Sequence, residues 1–273
     1  MAATIDAWLG ALEGSHENLT SEVAARTPEQ WRGPSYATEW SVAQVLSHLG
    51  SGAEIFLLFI EAGLERGPAP SNDAFGPIWA RWDSRSPEDQ VTGALVADRA
   101  LLDRIGGLSA DQRDRWRLDL FGSEQGLAGL LRMRLGEHVV HTWDLAVMRD
   151  ETARLPDAAA DLLIDVVDQL VPRVGRPGEI TLRVAVSTRG PARRFVLAAG
   201  GGSVELSPLV SQTGPDAGAD AEPDAGTDPG ATLDLPAEAL IRLVYGRLDP
   251  GHAPGVVTSG VALGDLCALF PGF

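Results

Sequence analysis

GEHVVHTWDLAV, residues 136–147, sets Glu137 and His141 one helical turn apart, so on a helix both side chains leave the same face. Advancing by about 100° per residue from Glu137 brings Leu130, Met133, Asp144, Leu145 and Met148 onto that face. A carboxylate and an imidazole thus fall inside an apolar stripe, where uncompensated burial is costly. A metal ion compensates both. A second stretch, WSVAQVLSHLG at residues 40–50, offers a third ligand in His48, whose helical face also carries Val45, Ile55, Phe56 and Phe59. Taken singly, His48 also reads as a hydrogen-bonded core histidine, and Glu137 with His141 as an ordinary intrahelical pair. Together they give the His/Glu/His donor set of a catalytic zinc site, with one coordination position left open.

Outward from these stretches the chain predicts four long helices. Residues 4–26 repeat apolar side chains at helical spacing (Ile5, Trp8, Leu9, Leu12, Leu19, Val23) and stop before Thr27-Pro28. Ser41 and Gln44 form a capping box for a helix that carries His48 and runs to Glu65. Residues 66–85, rich in Pro and Gly, read as a connection. Ser86-Pro87-Glu88-Asp89 then starts a helix reaching Ile105, with a proline and two acids in its first turn. A fourth helix is predicted from Ser123-Glu124 past Arg149. Inward-facing ligands on such helices describe a four-helix bundle with its site in the core.

A fifth helix is expected over 156–172, bridging to a second domain. Beyond Gly178 the period becomes two, with Ile180, Leu182, Val184 and Val186 alternating with more polar positions. Phe195-Val196-Leu197 and Val204-Glu205-Leu206 flank Gly200-Gly201-Gly202 as a hairpin. Residues 212–230, almost wholly Gly, Ala, Pro, Asp and Glu, read as a disordered acidic loop. Thr232-Leu233-Asp234-Leu235 reads as a strand, and Pro236 starts a helix through Arg247. The expected organisation is a helical bundle over 1–153, a bridging helix and linker over 154–177, and a small α+β domain over 178–273.

Composition narrows the function. The chain has 273 residues, 44% of them apolar, and no uninterrupted apolar run reaches membrane-spanning length. The opening MAATIDAWLG lacks a charged leader and cleavage pattern, so a cytoplasmic location is expected, with no membrane partner. All 22 basic residues are arginine and the net charge is −16, a balance that disfavours nucleic acid. Arginine in place of lysine, with abundant Ala and Gly, suggests a GC-rich coding sequence, compatible with an actinobacterial source. The single cysteine, Cys267, rules out an internal disulfide or a multi-cysteine zinc site. Its apolar surroundings, Leu266-Cys267-Ala268-Leu269, read as those of an inert buried thiol.

Trp40, Ser41, Val42, Val45, Leu46, His48 and Leu49, followed by Glu137, Val139, Val140, His141, Trp143, Asp144 and Leu145, resemble the mycothiol-dependent maleylpyruvate isomerase family. The resemblance implies a DinB-like metal-binding four-helix bundle followed by a small α/β domain similar to sterol carrier proteins. Ala239-Leu240 to Tyr245-Gly246-Arg247, and Leu269 to Phe273, resemble the last two helices of that domain. It implies a divalent metal at His48, Glu137 and His141, and mycothiol, an actinobacterial thiol, as co-substrate. Zinc suits the imidazole and carboxylate donors best, while Ni2+ and Fe2+ are compatible with them. It also implies an arginine of the second domain that faces the anionic substrate and assists catalysis. That role falls on Arg247, with Arg242 as the neighbouring candidate and helix capping as the other reading of Arg247.

His138 lies about 100° away from Glu137 on the helical wheel and faces elsewhere. Asp144 either orients a ligand imidazole or bonds a nearby arginine. Arg134, one turn before Glu137, is expected to pair with it when no metal is present. Trp40 and Trp143 read as core packing, and His16 and His252 as surface or loop residues. The chain has no G-x-S-x-G elbow, phosphate loop or dinucleotide fingerprint, so a nucleophile must come from outside. The reading is a metal-dependent enzyme using mycothiol, an isomerase of maleylpyruvate type or a thiol S-transferase acting on a small molecule. Two alternatives need the same ligands. One is a metal-dependent hydrolase with Asp144 as base; the other is a non-catalytic metal- or metabolite-binding protein.

Overall fold

In the computed structural model, which describes residues 3–120, 122–209 and 230–272, the chain divides into two units, Met1–Ala153 and Arg154–Phe273. The first is built from α1 (Ile5–Ala24), α2 (Pro28–Trp31), α3 (Val42–Glu65), α4 (Asn72–Asp83), α5 (Pro87–Gly106) and α6 (Ala110–Arg115), the hairpin β1 (Arg117–Leu120) and β2 (Ser123–Gly126), and α7 (Leu127–Ala146). The caps expected from sequence form. Ser41 Oγ accepts the Gln44 amide while the Gln44 side chain accepts from the Ser41 amide at 2.8 Å. Ser86 caps α5, with Pro87 at its first position.

The long helices close a ring of contacts, α1 on α7 and α5, and α3 on α5 and α7. Leu12, Leu19, Leu46, Leu49, Ile60, Leu101, Leu102 and Ile105 fill its core. Helix α3 is long and apolar enough to cross a membrane by length and composition; in this fold it is the central helix, with Val42, Val45, Leu46, Leu49, Ala53 and Ile60 buried. Glycines let two tryptophans reach its backbone. A Cβ at Gly50 would lie 2.1 Å from the Trp82 ring, and one at Gly63 2.2 Å from Trp116. Trp82 Nε1 donates to Glu54 at 2.9 Å and Trp116 Nε1 to the Ile60 carbonyl at 3.0 Å. A helical glycine costs about 1 kcal/mol, whereas truncating a buried tryptophan costs about 3–5 kcal/mol, so the packing wins.

Two segments depart from the sequence reading. The connection expected over 66–85 contains α4, whose Phe75, Ile78, Trp79 and Trp82 recur at helical spacing around Pro77. The fourth helix does not begin at Ser123. Residues Ser123–Gly126 pair antiparallel with Arg117–Leu120, Gly122 sits at φ 78°, and α7 starts only at Leu127 and stops at Ala146.

In the second unit the continuous helix expected over 156–172 is broken into α8 (Asp157–Leu163), a 3-10 turn (Val167–Gln169) and α9 (Val171–Val174). Pro172 lacks an amide donor and suits a new first turn better than a helix interior. These pieces belong to the second unit, α8 packing on α10 and α9 on β5. The sheet is β3 (Leu182–Arg189), β4 (Arg194–Gly200), β5 (Ser203–Pro208), β6 (Thr232–Pro236) and β7 (Val257–Ser259), in the order β5-β4-β3-β6-β7. β3 and β6 run parallel and the other neighbours antiparallel. Gly201 and Gly202, at φ 59° and 87°, supply the left-handed pair that a two-residue hairpin loop requires. α10 (Ala237–Val244), buried along its whole length, follows β6 directly, and α11 (Leu263–Ala268) closes the described chain. The acidic stretch 212–230 lies, apart from Gly230, outside the described residues.

Candidate metal centre

α3 presents His48 at the end of its second turn, and α7 presents Glu137 and His141 on consecutive turns. Glu137 Oε2 is 3.4 Å from His48 Nε2 and 3.7 Å from His141 Nε2. One donor atom from each of the three residues falls within 4.8 Å of the others. His48 and Glu137 are half-buried and His141 is buried. Behind His141, the fully buried Asp144 places Oδ2 2.8 Å from Nδ1. A carboxylate there accepts a hydrogen bond from Nδ1–H, which keeps the proton on that nitrogen and leaves the Nε2 lone pair directed toward Glu137.

The electrostatics favour the ligating forms. Burial pushes the pKa of His48 down, against the hydrogen bond it makes to the Glu137 carboxylate. Burial pushes Glu137 up, but the hydrogen bond to His48 and the charges of His141, His48 and Arg134 outweigh it and lower its pKa. A neutral imidazole and an ionised carboxylate are what a divalent cation binds. The donor set therefore fits zinc or a similar ion.

Trp40 is not simple core packing. The turn before α3 is closed by Val42 N donating to Gly33 O and Ser35 N to Trp40 O, each at 3.0 Å. This sets the half-buried indole 5.1 Å from the His48 ring and 5.9 Å from the His141 ring, centroid to centroid. Trp143 does pack in the core, edge-on to Tyr36 at 4.8 Å, with its indole N–H donating to Ala153 O at 2.8 Å.

Sequence reasoning missed a buried cluster beside the donors. Asp98 of α5 accepts Arg134 Nη2 on Oδ1 at 2.8 Å, while its Oδ2 lies 2.9 Å from His138 Nε2 and 2.7 Å from His16 Nδ1. Ser15 Oγ is 2.7 Å from His138 Nδ1. Burial lowers the pKa of His138 despite Asp98, so the ring is neutral, donating from Nε2 and accepting at Nδ1. Two expectations change here. Arg134 pairs with Asp98 rather than Glu137, and His16 joins the cluster instead of lying on the surface. A signal was present: Asp98 sits in the α5 stripe of Val91, Ala94, Leu101, Leu102 and Ile105, a charge on an apolar face like Glu137.

In the second unit Arg242 is wholly buried, its guanidinium donating to both Glu238 oxygens at 2.7 and 3.0 Å and to His252 O at 2.8 Å. Arg247 lies beyond the end of α10, half-buried, with Nη1 donating to Tyr245 O at 3.2 Å. His252 ends a 3-10 turn (Pro250–His252) and lies half-buried against Asp249, its Nδ1 2.9 Å from the carboxylate. Cys267 is half-buried, donates to Leu248 O at 3.0 Å and has its pKa raised by burial, the opposite of an activated thiol.

The first unit is thus a helical bundle presenting two imidazoles and a carboxylate together. Residues 12–146 match the family model described as the mycothiol maleylpyruvate isomerase N-terminal domain, which assigns the first unit to that family. Among solved structures, the chain is similar to the mycothiol-dependent maleylpyruvate isomerase, with 13% identity, TM-score 0.64, and 94% of this chain and 93% of that one covered. A histidine-to-alanine mutant of that enzyme is similar at 12% identity and the same TM-score of 0.64. At such identity the likeness establishes the fold, helical first unit and sheet-containing second unit alike. No curated protein matches the sequence.

Proposed function

We propose that the chain is a metal-dependent isomerase of the maleylpyruvate type that uses mycothiol as its thiol. The observation that carries this reading is the convergence of His48, Glu137 and His141 from two distant segments, donor atoms within 4.8 Å, inside the stretch that matches the family. When bound, a divalent ion supplies Lewis acidity that makes a thiol a thiolate near neutral pH, and the thiol supplies a nucleophile that adds to an activated double bond and leaves again.

The chain's own residues prepare the site. Asp144 fixes the His141 tautomer, and Glu137 brings negative charge between the imidazoles. Trp40 lies against both rings and restricts water on that side. Asp144 is committed to His141 Nδ1 at 2.8 Å, so it does not serve as the general base that hydrolysis would require, which favours an added thiol over water as nucleophile. For the substrate anion, Arg247 is the better of the two arginines, because Arg242 is wholly buried in its pair with Glu238.

The test is metal content together with thiol-dependent turnover. Protein purified without chelator should hold a single divalent ion per chain and isomerise maleylpyruvate only when mycothiol is added. His48→Ala and His141→Ala should lose both properties, and Arg247→Ala should keep the metal while KM rises. Full turnover in either histidine variant, or turnover without thiol, would defeat the proposal.

A further inference from the structure

Arg134 precedes Glu137 by one turn of α7, and its charge acts on both Glu137 and His48. An arginine so placed has a ready partner in the Glu137 carboxylate, and an ion pair there would occupy the oxygens that a cation needs. The guanidinium is held elsewhere. Nη2 donates to Asp98 Oδ1 at 2.8 Å and to Leu49 O of α3 at 3.0 Å. Nη1 runs beside Gly52, where a Cβ would come within 3.0 Å of it. Nε is buried without an acceptor. The ion pair itself is almost wholly inaccessible, Asp98 at 1% and Arg134 at 2% exposure, so the attraction is little screened.

We infer that Asp98 is a positioning residue for the metal centre: by anchoring Arg134 against α5 and α3 it keeps the guanidinium off Glu137 and leaves that carboxylate open to a cation. Asp98 touches none of the three donors and acts only through Arg134. Its second oxygen is held by His138 and His16, so the anchor cannot swing away. Gly52 leaves the space in which Nη1 lies. The inference rests on the metal centre proposed above and adds the reason that a cation, rather than an internal arginine, takes Glu137.

The experiment is zinc affinity, measured on the whole chain by competition with a chromophoric chelator, for the wild type, Asp98→Asn, Arg134→Gln and the double variant. Asp98→Asn keeps the shape but loses the charge that holds Arg134, and zinc binding should weaken by about tenfold or more, the scale of a lost supporting partner. Arg134→Gln removes the competing cation and should bind zinc as the wild type does. The double variant should recover most of what Asp98→Asn loses, a coupling that a merely structural role for Asp98 would not produce. Unchanged affinity in Asp98→Asn, or a double variant as weak as that single one, overturns the inference. If Asp98→Asn does not fold, Arg134→Gln decides: unchanged affinity supports the inference and weakened affinity overturns it. Wild-type protein that takes up no zinc fails the metal centre itself, a result distinct from equal binding by all four proteins.

Discussion

His141 has the least freedom of the three donors, because Asp144 holds its far nitrogen. Asp144→Ala should therefore weaken metal affinity by about 10–100-fold while His141 stays in place, measured by chelator competition. Asp98 gives a prediction about acid. Burial alone would push its carboxyl up, but His138, His16 and Arg134 together outweigh that and hold it well below the usual carboxylate range. The unfolded value is about 3.9, so the folded pKa is the lower one. Its stabilisation is then present in full above the unfolded pKa and is lost as pH falls toward the folded one. From about pH 5 to pH 3, the urea midpoint of the wild type should fall more steeply than that of Asp98→Asn. Equal slopes would show that Asp98 is not held in its ionised form by folding. The grouping of His48, Glu137 and His141 was legible because a charge inside an apolar stripe is conspicuous; the partner of Arg134 was not, since the choice between Glu137 and Asp98 is set by which helix packs alongside.

Among the elements, α3 shows how composition can mislead. Gly50→Ala adds a better helix former, worth about 1 kcal/mol, yet its Cβ meets the Trp82 ring at 2.1 Å. Overpacking of this kind costs about 1–3 kcal/mol, so the variant should be destabilised in urea denaturation. Gly10→Ala, in α1 with nothing within 4 Å of its Cβ, should be stabilised by about 0.4–1 kcal/mol. The long helices could be read from the chain because period and caps agree. α4 could not, because Pro77 and the glycines around it outweighed the Phe75, Ile78, Trp79, Trp82 spacing. The β1–β2 hairpin is too short for alternation to show, with only Leu118 and Leu120 buried on β1, and its pairing depends on register across the turn.

At the scale of the whole molecule, both the family match over 12–146 and all three donors fall within the unit Met1–Ala153. A glycine-rich acidic composition gave the reading of 212–230, which apart from Gly230 lies outside the described residues. The division into units has a calorimetric consequence. A ligand stabilises only the folded species that binds it, by RT ln(1 + [L]/Kd). Zinc should therefore raise the melting temperature of the helical unit and leave the endotherm of the sheet-containing unit where it was. Chelation should bring the first endotherm back down, and a scan in which both endotherms move together would mean that the units melt as one. The ion would in this way act as a label on heat absorption, telling which half of the chain is coming apart.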